Sequence, residues 1–306
     1  MGIAGVTLLA VPVPAHAAPF VVTDLDGGAT AEGLAQSLAA SGVTVSNVTY
    51  TGANASAGQF SGGSGIIGFN EGIVLSSGRA ADLGTANTDN GLSVDTGQPG
   101  DADLTALSGF ETLNATVLEF DVTPNDDTIF FNYVFASEEY NEFVGSEFND
   151  VFGFFVTQQG AASPVNCAVV GAGDPVSVNT INNGEANDGV GASNPGLFVN
   201  NDTGAIGAEP DGFTTTLQCT ATVTPGVPNH LKLAIADASD ADLDSWVFIQ
   251  ARSLSTNSEV CDDGVDNDGD GAVDAADPDC GPPPATTPDG TAAPAQPVVA
   301  SPKFTG

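Results

Sequence analysis

The sequence predicts a mainly β protein, an antiparallel β-sandwich of jelly-roll type with one N-terminal helix and a C-terminal calcium loop. Three observations lead there. Apolar residues alternate with a period of two over many short runs. Gly, Asn, Asp and Pro cluster between those runs and supply turn chemistry. A clear helical period shows once, near the N-terminus. Many strands with one helix fit antiparallel sheets packed face to face.

The strongest run is FFNYVFASEEYNEFVGSEFNDVFGFFV, from Phe130 to Val156. Ile129, Phe131, Tyr133 and Phe135 fall on one face of a strand, with Phe130, Asn132, Val134 and Ala136 on the other. Both faces are largely apolar, which predicts a central strand covered on both sides. The connection to the next apolar segment carries Glu138, Glu139, Glu142, Glu147 and Asp150 with no basic residue among them.

Taken in order, Thr30 to Ala40 reads as the helix, with Leu34 and Leu38 one turn apart and Thr30 as N-cap. Ser41-Gly42 stops it. Val43, Val45 and Val48 to Tyr50 form a strand, Gly52 to Gly65 a Gly/Ser/Ala-rich loop, and Gly72 to Ser76 a short buried strand. Ala80 to Ser108 is polar and aperiodic, so a long surface loop is expected. Leu118, Phe120 and Val122 alternate along the next strand, which Pro124-Asn125 turns into the central run. Asn179 to Asp211 is expected as a second loop. Thr214 to Val223, Leu231 to Ala236 and Trp246 to Ala251 are the closing strands.

The ends differ from this body. Ile3 to Val13 is apolar but too short to span a bilayer, and Ala15-His16-Ala17 has the small-x-small form of a cleavage site, so residues 1–17 read as an export signal. The expected division is the signal at 1–17, a β domain at 18–255, an Asp-rich loop at 256–281 and a Pro/Ala/Thr-rich spacer at 282–306. No apolar segment after the loop is long enough for a membrane span.

Charge narrows the partners. The chain has 39 Asp and Glu against 4 Lys and Arg, a net charge of −35, which repels phosphate backbones and removes nucleic acid from consideration. So many carboxylates without basic partners need divalent cations, salt or plain solvation. The segment CDDGVDNDGDGAVDAADPDC, Cys261 to Cys280, has the spacing to use a cation. Set on an EF-hand loop, Asp266, Asp268 and Asp270 take positions 1, 3 and 5, Gly271 the sharp turn, Ala272 the backbone carbonyl at 7 and Asp274 position 9. Asp277 stands at position 12, where a longer Glu is usual. Pro282 to Pro284 forbids a following helix, so the loop is isolated, with an expected Ca2+ affinity on the order of 0.1–1 mM.

A second candidate metal cluster lies between the last two strands. Asp237, Asp240, Asp242 and Asp244 are close in sequence, and Glu138, Glu139 and Asp150 join Asp237, Asp240 and Asp244 if the two connections meet. Turn residues that satisfy backbone amides are the alternative.

The four cysteines suit an oxidising compartment. Of three connectivities, Cys167–Cys219 with Cys261–Cys280 is the most local. The second bond would clamp the calcium loop, contributing about 3 kcal/mol in the chain-entropy model. Enzyme constellations are poor. No nucleophile elbow, phosphate loop or zinc motif is present. His230, the one histidine beyond the signal, is expected to be structural. A carboxylate pair for glycoside hydrolysis is open only because acidic residues are abundant.

At VFASEEYNEFVGSEFNDVFGFFV (Val134 to Val156), PVSVNTIN (Pro175 to Asn182), DGFTTTL (Asp211 to Leu217) and HLKLAIADASDADLDSWVFI (His230 to Ile249) the chain resembles the bacterial choice-of-anchor L domain family. The resemblance covers most of Ala29 to Ser253 and implies an exported surface protein with no catalytic residues to transfer. The final SPKFTG departs from a sortase motif. The C-terminal loop resembles the calcium repeats of thrombospondin. The expected function is therefore a secreted or cell-surface, calcium-stabilised, non-enzymatic module for adhesion or matrix contact. Its expected partner is a surface or matrix ligand, with polysaccharide among the candidates. The alternatives are a calcium-dependent lectin-like module, favoured if Trp246 or Tyr140 is exposed, and a glycoside hydrolase using Glu138, Glu139 or Asp150 across a concave pocket.

Overall fold

A computed structural model describes residues 19–256 apart from 41, 85, 89 and 90. The expected signal, the calcium-loop ligands Asp266, Asp268, Asp270, Ala272, Asp274 and Asp277, the pair Cys261 and Cys280, and the spacer lie outside the described residues.

The described chain begins with β1 (Val21–Asp24), α1 (Ala31–Leu38), β2 (Val43–Thr51), β3 (Ala57–Ser61), β4 (Glu71–Ser76), α2 (Ala102–Ser108), β5 (Thr112–Pro124), β6 (Thr128–Ser137) and β7 (Val151–Thr157). Short strands β8 (Val165–Asn166), β9 (Val169–Val170), β10 (Asp174–Ser177), β11 (Phe198–Asn200) and β12 (Gly212–Thr214) follow. The domain closes with β13 (Leu217–Thr222), β14 (Asn229–Ala238) and β15 (Ser245–Gln250). These make two separate antiparallel sheets rather than one closed barrel. The first runs β1-β3-β4-β15-β6-β12-β11, with β13 also on β6, and the second runs β2-β5-β14-β7-β10-β9, with β8 on β7.

β6 sits between β15 and the β12/β13 pair, as the two-sided apolar run predicts. Its odd residues Ile129, Phe131, Tyr133 and Phe135 belong to a core shared with Phe120, Phe152, Phe154 and Leu233 of the second sheet. Phe131 meets Phe154 edge to face at 4.1 Å between ring centres, and Tyr133 meets Phe152 at 5.3 Å. Each such pair adds about 0.5–1.5 kcal/mol beyond its buried area. Its even residues Val134 and Ala136 pack instead into an outer cluster with Phe60, Val74, Leu83, Phe213, Trp246 and Phe248. Ala80 and Leu83 are buried in that cluster and Leu92 packs against it, so the described residues between 77 and 94 run as a strap over the outer face of the first sheet.

Several expectations are corrected. The region from Ala80 to Ser108 is not all loop, because α2 occupies its end. Asp101 caps α2 by accepting from the amides of Asp103 and Leu104, Gly109 ends it at φ 78°, and Leu104 packs on Ala115, Val117 and Phe155 of the second sheet. The described residues therefore hold two α-helices where one was expected. β3 lies inside the Gly52–Gly65 loop, and β11 inside Asn179–Asp211. Thr214 to Val223 is two strands, since the chain's ladder with β6 ends at Phe213 and resumes at Leu217. The Thr214 hydroxyl fills the break by accepting the Phe135 amide at 3.0 Å.

Cys167 and Cys219 form a disulfide with Cα atoms 5.4 Å apart. Cys219 is in β13 of the first sheet, and Cys167 lies between β8 and β9 of the second.

Candidate functional site

The connections β6–β7 and β14–β15 both pass from one sheet to the other at the same end of the molecule. This brings the two acidic segments together.

The first group lies between the sheets. Asp150, just before β7, is fully buried; its Oδ1 accepts the Ala238 amide at 3.0 Å and its Oδ2 the Ser245 hydroxyl at 2.7 Å. Asp237 in β14 is also fully buried, and its Oδ2 accepts from Asn114 Nδ2 at 3.0 Å. Asn114 is held in turn by Thr96, whose amide and hydroxyl donate to its Oδ1. Glu139 is 1% exposed, and its Oε2 has no hydrogen-bond partner. Burial pushes the Glu139 carboxyl up to about 9, helped by Asp240, Asp237 and Asp242. Burial and Glu139 raise Asp150 well above the carboxylate range against its two hydrogen bonds, and burial and Asp150 do the same to Asp237. A charge removed from water is costly unless it is paired, so keeping these groups ionised would take a counter-charge. Asp240 is half-buried on the connecting loop and Asp242 is exposed.

The second group is on the outer face of the first sheet. The pairs Ser245↔Ser137 and Gly212↔Ser137 place Asp244 and Asp211 on either side of Glu138, one position further along β15, β12 and β6. The Glu138 amide donates to the Asp244 carbonyl at 3.1 Å, which holds that rung. Asp244 precedes Trp246 by two residues, Asp211 precedes Phe213 by two and Glu138 follows Ala136 by two, so all three share the face of the outer cluster. The strap covers them. The Val94 amide donates to Asp244 Oδ1 at 2.9 Å, Asn87 Nδ2 donates to Asp211 Oδ1, and the Thr88 amide donates to Glu209 at 3.2 Å. Burial pushes Asp244 up to about 7, with Asp82 adding and the Val94 amide and Arg79 opposing. Asp211 is pushed up to about 6 by burial and by Glu142, Asp202 and Glu209, against the Asn87 bond.

Basic residues do not neutralise most of this acidity. Lys232 is engaged by Asp101 and Asp103 at 2.7 Å, and Arg252 by Glu71 at 2.8 Å. Arg79 lies beside Asp244. His230 pairs with Asp121 and Glu119 on an exposed rung, the structural role expected of it. Among the described residues, no three His, Cys, Asp or Glu side chains stand as a ready metal shell. Of the candidate cluster Glu138, Glu139, Asp150, Asp237, Asp240 and Asp244, the charges of Glu139, Asp150, Asp237 and Asp240 act on one another and that of Asp244 acts on Asp237.

Asp211 and Glu209 were not legible as site residues, because they sit in an Asn/Asp/Gly-rich stretch that nothing local distinguishes. The available signal was parity: Asp211 is two residues before Phe213, as Asp244 is before Trp246. Trp246 and Tyr140 are both fully buried. Of two described cavities, the larger, about 450 Å3, is lined by Gln36, Gln59, Phe60, Glu71 and Arg252, at the end of the sheets away from the carboxylates. No described helix is long and apolar enough to cross a membrane.

A family model described as the Choice-of-anchor L domain matches residues 22–255, more than half of the chain. No curated protein and no solved structure matches.

Proposed function

Because the chain belongs to the choice-of-anchor L domain family, a family of surface-associated, non-enzymatic modules, we propose that it acts as an exported adhesion or matrix-contact module ordered by calcium. In this reading residues 1–17 are a cleaved leader, the two sheets with their shared core form a sandwich, and the acidic end takes calcium and presents the contact surface. The observation that carries it is the buried group Glu139, Asp150 and Asp237, three carboxyls that meet between the sheets with no Lys or Arg among their described contacts. Calcium accepts six to eight oxygen ligands in flexible geometry and would neutralise such a group. The loop of Asp266, Asp268, Asp270, Ala272, Asp274 and Asp277, clamped by Cys261–Cys280, is the other proposed calcium site.

Burial of Trp246 and Tyr140 weakens the lectin-like alternative, which their exposure would have favoured. The glycosidase alternative gains nothing from the larger cavity, whose lining excludes Glu138, Glu139 and Asp150.

The test is calorimetric titration of calcium into the chelator-stripped chain, beside an Asp266→Ala/Asp268→Ala variant and a Glu139→Gln variant. Binding that survives the first variant, raises Tm and is weakened by the second supports the reading. At a hundredfold excess over Kd the gain is about 2.7 kcal/mol. Absence of binding at millimolar calcium sinks it.

A further inference from the structure

At its β1 edge the first sheet leaves part of its inner face open. The pairs Thr23↔Gln59, Gln59↔Ile73 and Ser61↔Glu71 put Thr23, Gln59, Ser61 and Glu71 on the face that Ile73 turns to the inner core, because directly paired residues share a side. These four floor a groove of about 450 Å3, walled by the end of α1 and by the Ala251–Arg252 turn. Two backbone bonds fix the walls. The Arg252 amide donates to the Ser37 carbonyl at 2.9 Å, and the Ala251 amide to the Glu71 carbonyl at 3.0 Å. A preformed space of this size falls within the roughly 300–1,000 Å3 range of small-molecule sites.

The polar groups of the groove narrow the ligand. Gln36 and Gln59 commit their amide nitrogens to Glu32 Oε1 at 2.9 Å and to the Gly33 carbonyl at 3.2 Å, and among the described residues no donor reaches either amide oxygen. Arg252 gives Nη1 to Glu71 Oε1 at 2.8 Å, which leaves the rest of its fork, Glu71 Oε2 and the Thr23 and Ser61 hydroxyls to meet a ligand. An anion would face Glu71, two amide oxygens and a chain of net charge −35. A cation would face Arg252, and an apolar molecule would strand the acceptors. A neutral molecule with many hydroxyls donates and accepts at once, and so answers the whole set. Val21, 50% exposed at the rim, adds apolar surface for the C–H face of a sugar ring. A peptide strand fits less well, since it recognises a sheet through the unpaired backbone of a strand edge, and this groove presents the side chains of a sheet face.

We propose that this groove binds a neutral saccharide, one or two hexose units of a surface polysaccharide, and that it does so without calcium. The proposal supplies a ligand class for the adhesion reading and rests on that reading for its biological role. It shares no residue with the calcium sites proposed at the other end of the sheets or in the C-terminal loop. Because both glutamines and the Arg252–Glu71 pair are already tied in place, little ordering is needed on binding.

The experiment is titration of the full chain, in chelator, with maltose, cellobiose, lactose and chitobiose, followed by NMR at the side-chain amides of Gln36 and Gln59 and at Arg252 Nε. At least one of these sugars should shift the three signals together and to saturation. Digalacturonate, of similar size but charged, should leave them in place. Ser61→Tyr, which fills the mouth of the groove from the exposed end of β3, should abolish the shifts. Arg252→Lys keeps the charge opposite Glu71 but loses the planar fork, and should weaken binding about tenfold. Should Arg252→Lys fail to fold, Ser61→Tyr carries the test alone. Shifts from none of the four sugars, shifts from digalacturonate alone, or shifts unchanged in Ser61→Tyr overturn the site. Repeating the titration in calcium should give the same affinity, so a chain that binds sugar but no calcium, or calcium but no sugar, separates failure of one reading from failure of the other.

Discussion

The Ser245 hydroxyl donates to Asp150 Oδ2 at 2.7 Å, joining the first residue of β15 in one sheet to the residue before β7 in the other. Both residues are fully buried. The bond is thus a polar tie between two sheets that aromatic packing and the Cys167–Cys219 disulfide also join. Ser245→Ala leaves a buried acceptor oxygen without its donor and should destabilise the domain by about 1–3 kcal/mol. Denaturant unfolding in chelator should show the loss as a lower midpoint with an unchanged slope; a loss within error would mean that Asp150 is satisfied in another way.

The disulfide closes a long loop, Cys167 and Cys219 standing 52 positions apart in sequence. In the chain-entropy model that constraint is worth about 4 kcal/mol. A Cys167→Ser/Cys219→Ser variant should lose stability of that order in equilibrium unfolding. Equal midpoints for oxidised and reduced protein would contradict it.

Lys232 reaches from β14 to both acids at the start of α2 and lies 5.5 Å from the centre of the Phe155 ring. Burial lowers its pKa, but bonds to Asp101 and Asp103 outweigh that and raise it. Lys232→Met should therefore cost about 1–3 kcal/mol by stranding a largely buried acid, and hydrogen exchange should quicken first in α2. Unchanged protection of α2 would show that Leu104 alone holds the helix.

Asp121 provides the pH test, away from the proposed metal groups. Burial favours its neutral form, but hydrogen bonds from Asn47 and His230 and the His230 charge outweigh burial and hold its carboxyl below the usual range. A depressed folded pKa contributes stability above the ordinary carboxylate value, and that stability is lost as pH falls through the folded one. His230→Ala should raise the Asp121 pKa in a carboxyl NMR titration and move the acid limb of stability to higher pH. A titration curve identical to wild type would remove His230 from the account.

Gly78 lies against the outer rung. A Cβ there would stand 1.7 Å from Asp244 Oδ2, so Gly78→Ala must displace the strap or the carboxylate, at a cost of about 1–3 kcal/mol. Thermal melting should show this as a lower midpoint. A melting point equal to wild type would mean that the strap yields freely.

What the sequence revealed follows from where information is local. The alternation in β6 was readable because each side chain meets a fixed apolar layer, Phe131 the inner core and Val134 the outer. α1 was readable from Leu34, Leu38 and Thr30, whose hydroxyl does accept the Gly33 amide. α2 was not, since its single fully buried side chain, Leu104, makes no period. β2 was readable as one strand from its valines, but not the register shift between Ser46 and Thr49 that surrounds Asn47 at φ 54° and resets the parity. The site was half legible. Acidic connections can be counted in sequence, but which sheet face Glu138 and Glu139 each meet cannot, and Asp211 reaches the rung only through the pairing of β12.

Cys219 is 0% exposed and Cys167 is 8% exposed, which sets an order of events during maturation. An oxidant or exchanging thiol must reach both sulfurs, and docking of the two sheets closes that access. The crosslink therefore forms while β13 and the β8–β9 segment can still separate, before the aromatic layer of Phe131 and Phe154 has locked. A chain that closes reduced would have to reopen part of its core to become oxidised, so timing as much as redox poise decides how much of the protein matures with the bond in place.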